Sequence, residues 1–402
     1  MKIALTNISK LVGITSGELE KKGEDMGKVN CIDNAYIIVE NDVIENFGPM
    51  QEYVKNDKIQ EIQISHMVLP ALVDCHTHAV FSRARDIEFV QRNAGISYEE
   101  IAKKGGGILH SSHHLQKTSE EALLEMSLER VTKMEDKGLG TVEIKSGYGL
   151  TVNDEIKMLR VIRRIAKESN LIVKSTFLGA HAFPEKYKNN HSYYIDSIVK
   201  EMLPQIVEEN LADFIDVFCE PNYFNLEETE RIFQAGQESN LGIKAHVNQF
   251  NSFGGLELAL DYGAISVDHL EVLTEEDIEL LRDHDTMPVL LPACSFFISI
   301  PYAPARKLIS AGLPIALASD FNPGSSHVFN PFFIWSLACL KMKMTPEEAF
   351  NALTINAAKA IGLQKQIGSI EKGKKAKLIA VPNVERLSEI PYQMGEIEIQ
   401  HI

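Results

Sequence analysis

The chain has 402 residues, 45% of them hydrophobic, and a formal net charge of −16, long enough for a large barrel joined to a smaller unit. That charge argues against non-specific binding to nucleic acid or an anionic membrane surface, so an anionic substrate needs a local cationic clamp. Five cysteines (31, 75, 219, 294 and 339) without Cys-x-x-Cys spacing, an N-terminus poor in apolar residues and no run of membrane-span length predict a soluble, cytoplasmic protein.

Residues 1–65 read as β-rich, with strand candidates at 1–6, 34–40 and 59–64. From 66 to 360 short β-rich runs alternate with amphipathic helices. The predicted strands are 67–74, 140–145, 171–178, 214–219, 243–248, 264–269, 287–291 and 314–319. Helix starts are marked at Thr118, Asn225 and Thr345, each a cap residue three positions before a glutamate. Met158, Leu159, Ile162 and Ile165 form an apolar stripe at helical spacing, which is core packing. Residues 368–381 read as a turn and a strand. The expected fold is α/β: a (β/α)₈ TIM-type barrel over 66–360 with a small β-sandwich domain built from both chain ends, 1–65 and 361–402.

In such a barrel the C-terminal strand ends face the active site. His76 and His78 sit where the first apolar run ends, and side chains two apart on a strand share one face. His181 follows the third strand, His246 lies in the fifth, Asp268 and His269 end the sixth, and Asp320 ends the eighth. Placing five of 13 histidines at strand ends points to a metal site. His76, His78, His246 and Asp320 make a borderline-soft ligand set that suits one divalent ion, Zn²⁺ or Fe²⁺. A water held there would titrate near neutrality and act as nucleophile. Lys145 and Lys174 lie in barrel strands, where a modified lysine could bridge a second metal, but neither ends the fourth strand. The trio His110, His113 and His114 reads as a loop feature.

This pattern resembles the amidohydrolase superfamily. Phe81 to Arg85, Gly105 to Ile108, Val142 to Gly149, Phe177 to His181, Asp216 to Glu220, Val267 to Glu271 and Asp320 to Ser325 are similar, more narrowly, to the imidazolonepropionases. The resemblance implies a hydrolase of histidine degradation that opens the ring of 4-imidazolone-5-propanoate, a small anionic heterocycle, to N-formimidoyl-L-glutamate. It also implies a homodimer. Carried over by position, Arg85 would clamp the propionate, with Arg83 a competing candidate, and Tyr148 would contact the substrate. His181 would stabilise the oxyanion and Gln249 orient the ring, while Asn322, Gly324 and Ser325 hold substrate or product. Asp320 and His269 would move protons. The chain departs from the family pattern at Val247-Asn248, at 110–116 and at Lys377. Two rivals stand beside this reading: deamination of a purine or pyrimidine, which needs a glutamate where Gln249 stands, and a non-catalytic barrel acting in assembly.

Overall fold

A computed structural model describes residues 2–96, 100–101 and 106–402; Met1 and Gly105, which figure in the sequence reading, lie outside the described residues. The first five strands, β1 (Lys2–Ile14), β2 (Asn30–Glu40), β3 (Val43–Pro49), β4 (Gln60–Gln63) and β5 (Met67–Pro70), form one hydrogen-bonded sheet. β1 is long enough to serve two partners along one edge. Its first half pairs in parallel with β4 and its second half with β5, while β2 runs antiparallel on the other side. The sheet wraps a core that includes Leu5, Ile8, Leu11, Ile37, Ile44 and Val68.

The single strand expected over 67–74 is instead two, belonging to different sheets. Ala71 N–H donates to the Lys377 carbonyl at 2.8 Å, whereas Leu72 N–H donates to Gly138 at 2.9 Å. Pro70 has no N–H to continue a ladder, so the chain changes partners there without stranding a donor.

The barrel follows: β6 (Leu72–Thr77), β7 (Leu139–Lys145), β8 (Ile172–Ala180), β9 (Phe214–Phe218), β10 (Gly242–Val247), β11 (Ser266–His269), β12 (Met287–Leu290) and β13 (Ala316–Leu317). They are consecutive neighbours in one parallel sheet. The sheet closes where Thr77 bridges Phe321, with His78 N–H on the Phe321 carbonyl at 2.8 Å and Asp320 N–H on the His76 carbonyl at 3.1 Å. The eight-stranded (β/α) barrel expected from the alternation is present. The C-terminal end returns to the small sheet, β14 (Leu378–Val381) pairing antiparallel with β5 and with β15 (Gln400–His401).

The helices obey the expected patterns with two exceptions. Helix Val152–Glu168 buries Met158, Leu159, Ile162 and Ile165, and the capping boxes at Asn225 and Thr345 are both formed. The cap predicted at Thr118 belongs to Ser119, whose hydroxyl accepts from Ala122 N–H; the Thr118 hydroxyl donates back to the His114 carbonyl and closes the preceding helix. That preceding helix, Ile108–Leu115, carries His110, His113 and His114, so the trio is helical and not a loop. His110 and His114 meet edge to face because they are four residues apart. Among the described residues no helix is long and apolar enough to cross a membrane.

The outer core is anchored by Trp335, which is fully buried with its indole N–H on the Pro346 carbonyl at 3.1 Å. Trp335→Ala should cost about 3–5 kcal/mol, read as a lower midpoint in urea denaturation at unchanged slope.

Candidate active site

Parallel pairing and closure bring the chemistry-bearing residues to one end of the barrel. The seam that joins Thr77 to Phe321 sets Asp320 against both early histidines: its Oδ1 lies 3.5 Å from His76 Nε2 and 3.4 Å from His78 Nε2. Asp320 adopts φ 51°, a left-handed conformation that Asp tolerates better than most residues. On β10, away from that seam, His246 stands in register with Asp268 on one side and Phe218 on the other.

Two histidines are oriented from behind by buried carboxylates. His76 Nδ1 is 2.6 Å from Asp268 Oδ2, and His246 Nδ1 is 3.0 Å from Asp216 Oδ1. Burial holds both imidazoles well below the usual histidine range, so they are neutral. A carboxylate can only accept, so each Nδ1 carries the proton and each Nε2 keeps its lone pair. Both Nε2 atoms are buried without a hydrogen-bond partner. An unpartnered lone pair at this depth is costly unless something binds it. This is the arrangement of histidine ligands backed by carboxylates.

Among the described residues two overlapping triads could hold an ion: His76, His78 and Asp320, and His76, His246 and His269, each with ligand atoms within 4.8 Å of one another. The donors fit a divalent metal of the zinc or iron type, since three or four are imidazoles and the rest carboxylate. His269 sits at φ 91°, with Nδ1 3.4 Å from Glu271 Oε1. Burial opposes its charged form, but the carboxylates of Glu271, Asp320 and Asp268 outweigh burial and raise its pKa above the usual value. Burial pushes the Asp320 carboxyl up to about 6 against the opposing influence of His269.

Around these groups lies a narrow cleft of about 30 Å³. Its walls include His78, Arg85, Tyr148, His181, His246, Gln249, His269, Asp320, Asn322 and Ser325. His76 is fully buried and, like Gly324, is not part of that lining. Arg85 is buried and braced by Glu88 (Nε to Oε2, 3.0 Å) and Ser111 (2.8 Å), whereas Arg83 is exposed. Gly324 is required by this arginine: a Cβ there would stand 1.9 Å from the guanidinium. Asn322 uses its side chain to shape its own loop, accepting from the N–H groups of Gly324 and Ser325 and donating to the Asp320 carbonyl at 2.7 Å. Gln249 donates through Nε2 to Cys294 Sγ at 3.6 Å.

Tyr148 and His181 are set by the loop that precedes helix Val152–Glu168. Glu155, one turn into its helix and fully buried, accepts from the N–H groups of Gly147, Gly149 and Leu150 at 2.7–3.0 Å. The Gly147 carbonyl in turn lies 3.0 Å from His181 Nδ1. Gly147 has φ 108°, and a Cβ there would meet that imidazole at 2.8 Å. Burial brings the His181 pKa down to about 3, so the ring is neutral with its proton on Nδ1. Its Nε2 then accepts hydrogen bonds and donates only after taking up a proton.

The sequence reading named Asp216 and Asp268 without giving either a role, and missed Glu155. Aspartates inside otherwise apolar strands were the available signal, since an unpaired charge is not tolerated in a barrel interior. A larger groove of about 460 Å³ runs among Arg160, Arg163 and Arg164 on the outer surface. Those arginines are paired with Glu209, Asp213 and Glu121, and no reactive group converges there.

A model of the Amidohydrolase family matches residues 67–394. The imidazolonepropionase of Flavobacterium johnsoniae is 50% identical over 401 residues, 99% of this chain and 97% of that one. That of Alkaliphilus metalliredigens is 39% identical over 405 residues, 100% of this chain and 95% of that one. Among solved structures, E. coli guanine deaminase is similar with a TM-score of 0.76 at 15% identity, over 98% of this chain and 95% of that one. An adenosine deaminase from Xanthomonas campestris gives 0.71 at 16%, over 98% and 90%. At such identities the likeness concerns the barrel fold alone. The relatives, in contrast, match along the whole length that carries the seam, the oriented histidines and the arginine-lined cleft, and the chain belongs to the amidohydrolase family, among the imidazolonepropionases.

Proposed function

We propose that this chain hydrolyses the cyclic amide of 4-imidazolone-5-propanoate to N-formimidoyl-L-glutamate, using one divalent metal ion, Zn²⁺ or Fe²⁺. The observation that carries the reading is a single cleft with bare, buried histidine nitrogens on its floor and a braced arginine in its wall. His76, His78, His246 and Asp320 hold the ion. Bound there, it supplies Lewis acidity and a nucleophile at neutral pH.

The rest is done by side chains. Arg85, held in the cleft wall by Glu88 and Ser111, supplies the positive charge that meets the propionate. Tyr148 and Ser325 flank the substrate, and Gln249, with its N–H engaged by Cys294, presents Oε1 to a ring N–H. The neutral His181 meets the substrate through an accepting Nε2. It stabilises the carbonyl oxygen as an oxyanion donor only as the imidazolium, which makes its role dependent on a proton gained during the reaction. Asp320 Oδ takes a proton from the attacking water. His269, favoured in its charged form by three carboxylates, relays a proton to the departing ring nitrogen. Water thus adds across one C–N bond and no ammonia leaves. Gln249 cannot supply the acid that deamination requires.

The test is an absorbance assay on freshly generated imidazolonepropionate, with ammonia measured in parallel. Loss of substrate without ammonia is expected; ammonia release from guanine or cytosine, with imidazolonepropionate untouched, overturns the reading. In the same assay Arg85→Ala should lower kcat/KM by roughly 10- to 100-fold, chiefly through KM, because a charge-assisted contact is worth about 1.5–3 kcal/mol. Gly324→Ala should reproduce much of that KM effect by displacing the guanidinium.

A further inference from the structure

Lys145 ends β7 and is fully buried. The sequence leaves open that it carries a modification to bridge a second metal, but its surroundings are those of a free ammonium. Its Nζ lies 2.8 Å from Asp216 Oδ2, 2.9 Å from Glu143 Oε1 and 3.5 Å from Asp268 Oδ2. A carbamate would place a negative charge among those three carboxylates and keep a single N–H in place of the three of an ammonium. Register explains the convergence. Glu143 and Lys145 are two apart on β7, and the same alternation turns Asp216 on β9 and Asp268 on β11 toward the barrel interior.

Asp216 is the carboxylate that orients His246, and Asp268 the one that orients His76. One ammonium therefore touches both. Lys244, the other buried lysine nearby, donates to the backbone carbonyls of Cys75 and Ala360 at 3.5 and 3.3 Å and stands 3.9 Å from Asp268, so it contacts at most one of the pair. We propose that Lys145 is a positioning residue that ties Asp216 and Asp268 into one rigid support, fixing the rotation of His246 and His76 so that both Nε2 atoms converge on a single ion. The inference rests on the assignment of those histidines as ligands.

The test is titration of the chelator-treated full chain with Co²⁺, following both stoichiometry and the visible absorption of the bound ion. Lys145→Met should bind Co²⁺ about 10- to 100-fold more weakly than the parent, with an altered spectrum that reports changed ligand orientation. Should that variant not fold, Glu143→Gln/Lys145→Met removes one buried charge of each sign and carries the same expectation. Glu143→Gln alone leaves both aspartates paired with Lys145 and should bind like the parent. Parent-like affinity and spectrum in the Lys145 variants overturn the proposal while leaving the ligand assignment intact. An equal loss in Glu143→Gln alone also overturns it, since that would be a general effect of disturbing the interior. A parent protein that takes up no Co²⁺ removes the ligand assignment and this inference together.

Discussion

Asp320→Asn is expected to lower kcat by roughly 10³-fold or more, with the chain still folded, because one side chain would lose two roles at once. A positioned acid or base contributes about 10²–10⁴-fold, and the neutral amide is also a poorer partner for the ion than a carboxylate. The backbone makes this variant informative. Asn is among the residues that accept φ 51°, and the Asp320 N–H that closes the barrel seam is unaffected by the change. The measurement is kcat together with a circular dichroism melt; turnover near that of the parent would count against the proton-acceptor role. His269 calls for the same choice of substitute, since its φ of 91° penalises alanine more than asparagine.

Removal of the metal should be the second large effect. Stripping the protein with a chelator should abolish ring opening, and adding back Zn²⁺ or Fe²⁺ should restore it. The same ion should raise thermal stability, because anything that binds only the folded state stabilises it by about 3–4 kcal/mol at 100–1,000 times its dissociation constant. The bare Nε2 atoms of His76 and His246 give the physical reason: in the metal-free protein two buried acceptors lack partners. A melting temperature indifferent to added metal, with activity intact after chelation, would contradict this.

The features visible in the sequence were those carried by local pattern. His76 and His78 share a face because strands have period two, and the other strand-end histidines follow once the barrel is inferred from alternation. Arg85 and Arg83 could not be separated by spacing. Only the turn into helix Asp86–Asn93, with Glu88 one turn ahead, buries Arg85 and leaves Arg83 in solvent. The handover at Pro70 was hidden because one apolar run can serve two sheets without any change in composition. The roles of Asp216 and Asp268 were hidden for a different reason: their partners, His246 and His76, are 30 and 192 residues away in the chain, and β6 is not a neighbour of β11, so His76 meets Asp268 only across the closed barrel. Asn322 shows the limit of a position-by-position transfer, since its amide is committed to the loop that carries Asp320.

The most direct measurement is an anomalous-difference map from a crystal of the metal-loaded protein. One peak is predicted, in contact with Nε2 of His76, His78 and His246 and with the Asp320 carboxylate. A peak coordinated by His269 in place of Asp320, or no peak at the foot of this cleft, would mean that the chain performs its chemistry in some other way.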